Sequence, residues 1–312
     1  VVDSFTSVVR GADDGIYGGP HGTAMGGGIL YNKKIYEELG LSVPKTWDEF
    51  MANNEAIKEA GYDAVIGTLG TTWTSQLFVL GDFYNVLAQE PDFAERYTAG
   101  EAKYATSPAA LRGFENLAAI YEGGYFNEDF QAATFEEGIV YLATGVGAHY
   151  PMLTFAISNI PELAPEHIND VGFFAIPGDD PEKNGLTVWM PNGYYIPKTS
   201  QNVEEAKRFI AFIQSPEGCQ IDMEASGISG PYLISGCDLP ADIPPAVADL
   251  QSYFQQEGTT APALEFLSPV KGPALEQITV EVSSGARSPA DAAALYDEDV
   301  RKQAQQLGLE GW

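Results

Sequence analysis

The side chains best suited to chemistry in this sequence are an indole and several hydroxyls that follow an apolar segment. Trp73 stands in a Thr-Thr-Trp-Thr run, with Thr72 beside it, directly after the predicted strand 62–70. A flat indole can stack on the C–H face of a sugar ring, and hydroxyls can bond to the hydroxyl groups of that ring. The alternative interpretation of Trp73 is a boundary tryptophan that packs on its own domain.

No motif for bond-breaking catalysis accompanies these side chains. The histidines His21, His149 and His167 lack metal-ligand spacing, no Gly-x-Ser-x-Gly motif occurs, and glycines 26–28 lack the lysine of a phosphate-binding loop. We therefore predict neither a metal nor a cofactor. Acidic residues cluster in the first turns of helices, where the helix dipole favours them, and on predicted surfaces. Because carboxylates are abundant, a glycosidase pair remains the enzymatic alternative.

Composition narrows the class of protein and of partner. The 312 residues include 16 Lys and Arg against 44 Asp and Glu, which gives a net charge of −28. The length suits two domains, and a hydrophobic share of 45% is typical of a globular protein. A field this negative repels phosphate backbones and anionic lipids, so nucleic acids and membrane surfaces are not expected partners.

The elements that must position the candidate residues are predicted best in the segment 26–50. A helix over 33–39 should end at Gly40 in a left-handed conformation. Thr46 and Glu49 form a capping box that should start a second helix running to about residue 60. The strand 62–70 is apolar enough for burial on both faces, as in a helix-covered parallel sheet. One continuous helix is predicted over 78–90.

The same segment resembles a known signature. Tyr-Asn-Lys at 31–33, a short helix ending in Gly-Leu, and Pro-Lys-Thr-Trp-Asp-Glu-Phe at 44–50 are similar to the extracellular solute-binding proteins of bacterial ABC importers, of the maltodextrin- and sugar-binding type. Later stretches also fit this family: 16–20, 135–149, 194–227 and 276–307. One departure is His149, which stands where the family carries a methionine.

This resemblance implies an α/β fold of the periplasmic-binding-protein type, with two helix-covered sheet lobes joined by crossing strands. The first lobe would hold residues 1–24 and 193–260, and the second would hold 25–192 and 261–312. In the family, several βαβ units precede the strand at 16–20, so the first lobe is expected to be incomplete in this sequence.

The resemblance also implies ligand-contacting residues at the cleft between the lobes. Trp73 falls where the family places a stacking aromatic, and Phe155 falls where it often carries a tryptophan. Tyr150 and Met152 alternate with His149 and Pro151 along a strand, so only one of these two pairs can face the cleft. The remaining candidates lie next to the crossing strands: Trp189, Asn192 and His21. Core packing is the alternative for Phe155, and covering the sheet is the alternative for Trp189.

The function implied by the resemblance is capture of a sugar or oligosaccharide, closure of the lobes, and delivery to an ABC transporter permease, without covalent chemistry. Such a protein would be a monomer and extracellular, either a cell-surface lipoprotein or periplasmic. For an exported chain, the even cysteine count favours one disulfide, Cys219 to Cys237, over two buried thiols. The alternatives are a glycoside hydrolase and a binding protein for a non-sugar solute such as a polyamine or a peptide.

Overall fold

The structure, a computed structural model, describes residues 1–312 and combines helices with two sheets. The strands are β1 (Gly19–His21), β2 (Met25–Asn32), β3 (Asp63–Val65), β4 (Gly147–Leu153), β5 (Val171–Ala175), β6 (Leu186–Trp189), β7 (Asn192–Tyr194) and β8 (Thr260–Pro262). The helices are α1 (Asp3–Val8), α2 (Lys33–Leu39), α3 (Trp47–Glu59), α4 (Leu77–Leu80), α5 (Phe83–Gln89), α6 (Phe93–Thr98), α7 (Pro108–Glu122), α8 (Phe135–Thr144), α9 (Ile160–Leu163), α10 (Val203–Ile213), α11 (Pro216–Ser226), α12 (Pro245–Phe254), α13 (Leu275–Ser283) and α14 (Pro289–Leu307). None of the helices combines the length and the apolar character that a membrane crossing requires.

The larger sheet is built around β2. This strand pairs antiparallel with β4 along one edge, while β5 and β6 share its other edge. Neighbouring residues of β2 point to opposite faces, so Ile29 joins the core on one side of the sheet and Leu30 joins the core on the other. Both faces of the sheet are therefore buried at β2, and the α/β architecture is confirmed.

Strand direction is where the sheet differs from expectation. The pairs β3 with β4 and β6 with β8 are parallel, but β2 is antiparallel to all three of its partners, so the sheet is mixed. Apolar runs report burial on both faces and do not report direction, which is why a parallel sheet was expected. The predicted strand 62–70 ends early at Val65, because the Gly67 amide leaves the ladder and donates to Asn127 Oδ1 at 2.6 Å.

The segment 26–50 folds as predicted because its signals are local. Asn32 caps α2, since its Oδ1 accepts from the Ile35 amide at 3.1 Å, and its Nδ2 donates to the Leu142 carbonyl of α8 at 2.8 Å. α2 ends at Gly40 with φ +65°. Thr46 and Glu49 form both bonds of the capping box. Asn32 thus ties the start of one helix to the end of another.

The helix predicted over 78–90 is interrupted. α4 ends at Leu80 and α5 starts at Phe83, and between them the Gly81 carbonyl accepts from Thr187 Oγ1 at 2.7 Å. Asp82, in the same break, is 2% exposed. One of its oxygens accepts from Asn85 Nδ2 at 2.7 Å, and the other has no hydrogen-bond partner. Burial raises the pKa of Asp82 to about 7.

We assign the small sheet β1–β7 with α10 and α11 to the first lobe, whereas part of the range 193–260 expected for that lobe packs on the large sheet. β8 pairs with β6 of the large sheet. In α12, the Asp249 carboxylate accepts from the Phe173 amide and the Tyr253 hydroxyl accepts from the Ala175 amide, each at 3.0 Å. These side chains satisfy the free edge of β5, so α12 covers an exposed sheet edge of the second lobe. That contact is not visible in the local sequence pattern.

Candidate ligand-binding cleft

Two neighbouring segments of chain connect the lobes, one from β1 to β2 and the other from β6 to β7. His21 of β1 lies directly opposite Asn192 of β7, and Met25 of β2 lies opposite Trp189 of β6. The chain therefore crosses at residues 22–24 and 190–191, and one crossing includes Gly22 with φ +78°. The sequence placed both His21 and Asn192 next to these crossings, and the structure brings the two side chains to the same point.

A cleft of about 190 Å³ opens beside these crossing strands. His21 and Asn192 line it from the strands, Phe155 and Ser158 from the second lobe, and Asp222 with neighbouring residues from the first lobe. The two walls come close, because a Cβ placed on Gly227 of the first lobe would lie 3.4 Å from the Ser158 Cβ of the second. A ligand held here would touch both lobes.

Three aromatic rings pack together beside the cleft. The ring centroid of Trp73 lies 5.4 Å from that of Phe135 and 6.0 Å from that of Phe155, and the last two are 5.5 Å apart. Phe155 lines the cleft, whereas Trp73 is half-buried against it and is not among the lining residues. Trp73 belongs to a 3₁₀ turn over Thr72–Gln76 that follows β3. The Phe155 ring supplies an apolar surface of the kind that pyranose rings stack on, and the other two rings support it.

Buried hydroxyl groups fix the turn that carries Trp73. The Thr68 hydroxyl donates to Thr74 Oγ1 and also bonds with the Tyr150 hydroxyl, both at 2.9 Å. Ser75 Oγ lies 2.7 Å from Thr279 Oγ1 of α13. The Thr72 hydroxyl turns the same way, towards Glu276 Oε1 of α13 at 3.4 Å, so Thr72 supports the turn and does not line the cleft.

Tyr150 and Met152, which were expected as candidate ligand contacts, lie in the core and are not among the residues that line the cleft. They are 1% and 0% exposed. Both point from β4 into the core shared with α8 and β2, where the Tyr150 hydroxyl is already bonded to Thr68. Strand alternation limited the choice of face but could not say which face is buried, because helices cover both sides of this sheet.

Trp189 covers the sheet. It is 8% exposed, and a Cβ on Gly27 would lie only 2.4 Å from its ring, so the indole packs directly against the backbone of β2 at this glycine. This is the alternative that the sequence left open for Trp189. Its position explains why β2 carries glycine there, since any side chain would displace the indole.

His149 lies in the core and not in the cleft. It is 0% exposed. Its Nδ1 lies 2.8 Å from Asn54 Oδ1, which can only accept, so Nδ1 carries the proton and Nε2 accepts from the Tyr36 hydroxyl at 2.7 Å. Burial lowers the pKa of His149 to about 3. A neutral imidazole thus takes the place of the thioether that the family resemblance implied.

Sequence reasoning missed the first-lobe wall of the cleft. Asp222 on α11 accepts from the Tyr232 hydroxyl at 2.7 Å and from Ser226 Oγ at 3.2 Å. Burial raises the pKa of Tyr232 well above its usual range, and the bond to the Asp222 carboxylate adds to this. The disulfide Cys219–Cys237, with Cα atoms 5.8 Å apart, ties α11 to the same loop. No sequence motif marked Asp222, because its place depends on the fold of this loop.

A match to a known family shows what kind of protein carries this cleft. The sequence model of the bacterial extracellular solute-binding proteins matches residues 2–218. The chain belongs to this family. The resemblance inferred from the segment 26–50 is thereby confirmed.

Among curated proteins, this solute-binding protein is similar to the multiple sugar-binding protein of Streptococcus mutans. The two are 26% identical over 220 residues, which cover 69% of this chain and 50% of that relative. A second curated relative is covered to 48%. The chain thus spans about half the length of the curated relatives it matches.

Solved structures of other binding proteins share the fold. A chitin oligosaccharide binding protein matches with a TM-score of 0.78 at 19% identity, over 96% of this chain and 74% of that chain. A solute-binding protein solved in complex with raffinose matches with a TM-score of 0.76 at 22% identity, over 98% and 78%. At such identities these matches establish the architecture.

Proposed function

We propose that this protein binds a sugar or oligosaccharide in the cleft between its lobes and delivers it to the permease of an ABC importer. The observation that carries the proposal is the arrangement of the cleft walls. Phe155, backed by the rings of Phe135 and Trp73, lines the cleft from one lobe, and polar groups from the crossing strands and α11 line the rest of it. Saccharides need both kinds of surface, one for C–H faces and one for hydroxyls.

Membership in the solute-binding family supports binding without turnover, in the extracellular space, by a monomer that hands its ligand to a permease. The named relatives add support, since one is called a multiple sugar-binding protein and another was solved with raffinose. Closing the lobes requires only that the ligand bind the closed form more tightly than the open form. The crossing at Gly22 gives the chain a place to bend, because its φ of +78° costs glycine little.

The deciding experiment is calorimetric titration of the purified protein with neutral mono- and oligosaccharides, with spermidine and a short peptide as non-sugar probes. We expect saturable one-to-one binding of at least one saccharide and no release of reducing ends over hours. Catalytic release of reducing ends would favour the glycosidase alternative, and binding of spermidine or the peptide alone would favour a non-sugar solute.

Two variants locate the site. Phe155→Ala and Trp73→Ala should each weaken saccharide binding by about 10- to 100-fold, as loss of an aromatic contact does at binding hot spots. Phe212→Ala on α10 is the matched control, because Phe212 is an exposed aromatic away from the cleft. Unchanged affinity in both cleft variants would show that the ligand lies elsewhere.

A further inference from the structure

We propose that Asp222 is the specificity-determining residue of the cleft, selecting uncharged saccharides with neighbouring hydroxyl groups and rejecting acidic sugars. This inference rests on the proposed function and names the ligand class for the same site. Asp222 contributes the single carboxylate among the residues that line the cleft, and the lining includes no lysine or arginine.

The bonding of Asp222 leaves acceptor capacity free. A carboxylate offers about four lone-pair sites to donors. The Tyr232 hydroxyl occupies one at 2.7 Å, and the Ser226 hydroxyl occupies another at 3.2 Å. About two sites remain at the cleft surface. Two neighbouring hydroxyls of a pyranose ring can donate to them together, and such hydrogen bonds to a charged acceptor are stronger than neutral ones.

The placement of Asp222 makes that contact depend on both lobes. Asp222 lies on α11, one turn before Gly227, which nearly touches Ser158 of the second lobe. Phe155, three residues before Ser158, supplies the apolar surface on that wall. A ring stacked against Phe155 therefore presents its edge hydroxyls to the first-lobe wall. The arrangement favours a ligand that is apolar on one face and rich in hydroxyl donors at its edge.

The position of the carboxylate is fixed from its own loop. Tyr232 is a buried residue of the segment after α11, and its hydroxyl holds Asp222. The disulfide Cys219–Cys237 joins α11 to the same segment about one helical turn earlier. Tyr232 therefore acts as a positioning residue, since it orients the carboxylate without lining the cleft.

The same carboxylate works against an acidic ligand. A carboxylated sugar in the cleft would bring a second negative charge close to Asp222, with no lysine or arginine among the lining residues to balance it. Like charges brought together on binding are strongly unfavourable. The net charge of −28 adds long-range repulsion of anions.

The test uses matched pairs of sugars that differ by one carboxylate: glucose and glucuronate, galactose and galacturonate, lactose and sialyllactose. Titration calorimetry of the intact protein should show the neutral member binding at least tenfold more tightly in every pair that binds. Equal or tighter binding of the acidic member would overturn the proposal. If no sugar binds, the proposed function fails and this inference fails with it.

Variants separate this inference from the proposed function. Asp222→Asn should weaken neutral binding by about 10- to 100-fold, as loss of a hydrogen bond to a charged group does, and should narrow the preference over the acidic sugar. Glu224→Gln is the control, because Glu224 is exposed on the same helix and does not line the cleft. If Phe155→Ala weakens binding while Asp222→Asn does not, the site stands and the role of Asp222 is refuted.

A second variant tests the positioning role without changing charge. Tyr232→Phe should weaken neutral binding by about 3- to 10-fold in the wild-type background and have no further effect in the Asp222→Asn background, because both act through one carboxylate. Full additivity of the two substitutions would refute the role assigned to Tyr232. Thermal unfolding of each variant shows whether a loss reflects misfolding, and Asp222→Glu, which keeps the charge, should retain the preference for neutral sugars.

Discussion

His21 and Asn192, which are 171 positions apart in the sequence, lie directly opposite each other across the antiparallel pair β1–β7 at the mouth of the cleft. The ring of His21 also packs against Tyr194, with centroids 4.8 Å apart. Both crossings between the lobes therefore present a polar side chain to the same point, and a ligand bound there would contact the two connecting strands at once.

This pairing predicts coupled effects on binding. His21→Ala and Asn192→Ala should each lower the affinity for the saccharide by about tenfold, and the double variant should lose less than the product of the single losses, because neighbouring side chains do not act independently. Calorimetry on all three proteins checks this. Lys198→Ala, an exposed change on the segment after β7, is the control and should leave affinity unchanged.

Trp189 should behave as a structural residue. Trp189→Ala removes the buried indole that lies on Gly27, and should lower the free energy of unfolding by about 3–5 kcal/mol. The affinity of the folded fraction for the saccharide should stay within about threefold of the wild type. Denaturant unfolding and calorimetry measure the two quantities. A large loss of affinity with unchanged stability would show instead that Trp189 contacts the ligand.

His149 should make the protein sensitive to acid. Because burial lowers its pKa to about 3 in the folded state, against 6.5 for the ordinary side chain, the unfolded chain binds the proton first as pH falls. Stability contributed by the neutral imidazole is therefore complete above pH 6.5 and is lost between pH 6.5 and 3, by about 3 kcal/mol at pH 4. His149→Gln should lose less stability between pH 7 and pH 4, by about that amount. An equal loss in both proteins would contradict the assignment.

Asp82 should make the protein less stable as pH rises, which is the opposite of the effect of His149. Its pKa of about 7 in the folded state lies above the ordinary value of 3.8, so the cost of ionising it inside the protein appears as pH rises from 3.8 to 7. Asp82→Asn keeps the acceptor for Asn85 and removes the charge. Its stability relative to wild type should therefore rise by about 4 kcal/mol between pH 4 and pH 8. Asp242→Asn, at an exposed carboxylate, should show no such trend.

The sequence predicted those parts of the fold that depend on a few neighbouring residues. The capping box of Thr46 and Glu49 and the left-handed end of α2 at Gly40 are decided within one helical turn, and both occur as expected. The break between α4 and α5 was missed, because it depends on a bond from Thr187, more than 100 residues away. The direction of the strands was also missed, because it depends on which strands, distant in the sequence, pair with each other.

The sequence predicted candidate residues of the second lobe and of the crossing strands, but none on the first-lobe wall of the cleft. Phe155, His21 and Asn192 follow strands or crossings that the sequence reveals, and the structure brings them together at the cleft. Tyr150 was misplaced because an alternating strand buried on both faces gives no sign of which face a ligand could reach. Asp222 was missed because it lies on a helix with ordinary composition, and its role depends on the loop that carries Tyr232.

Asn32, the asparagine of the Tyr-Asn-Lys stretch, supports the scaffold and does not line the cleft. Asn32 bonds to its own helix and to the end of α8, and it is absent from the lining of the cleft. In this chain the motif around Asn32 therefore supports the scaffold. The presence of that asparagine therefore indicates the fold of a protein and gives no information on its ligand. The ligand is determined by the residues that line the cleft.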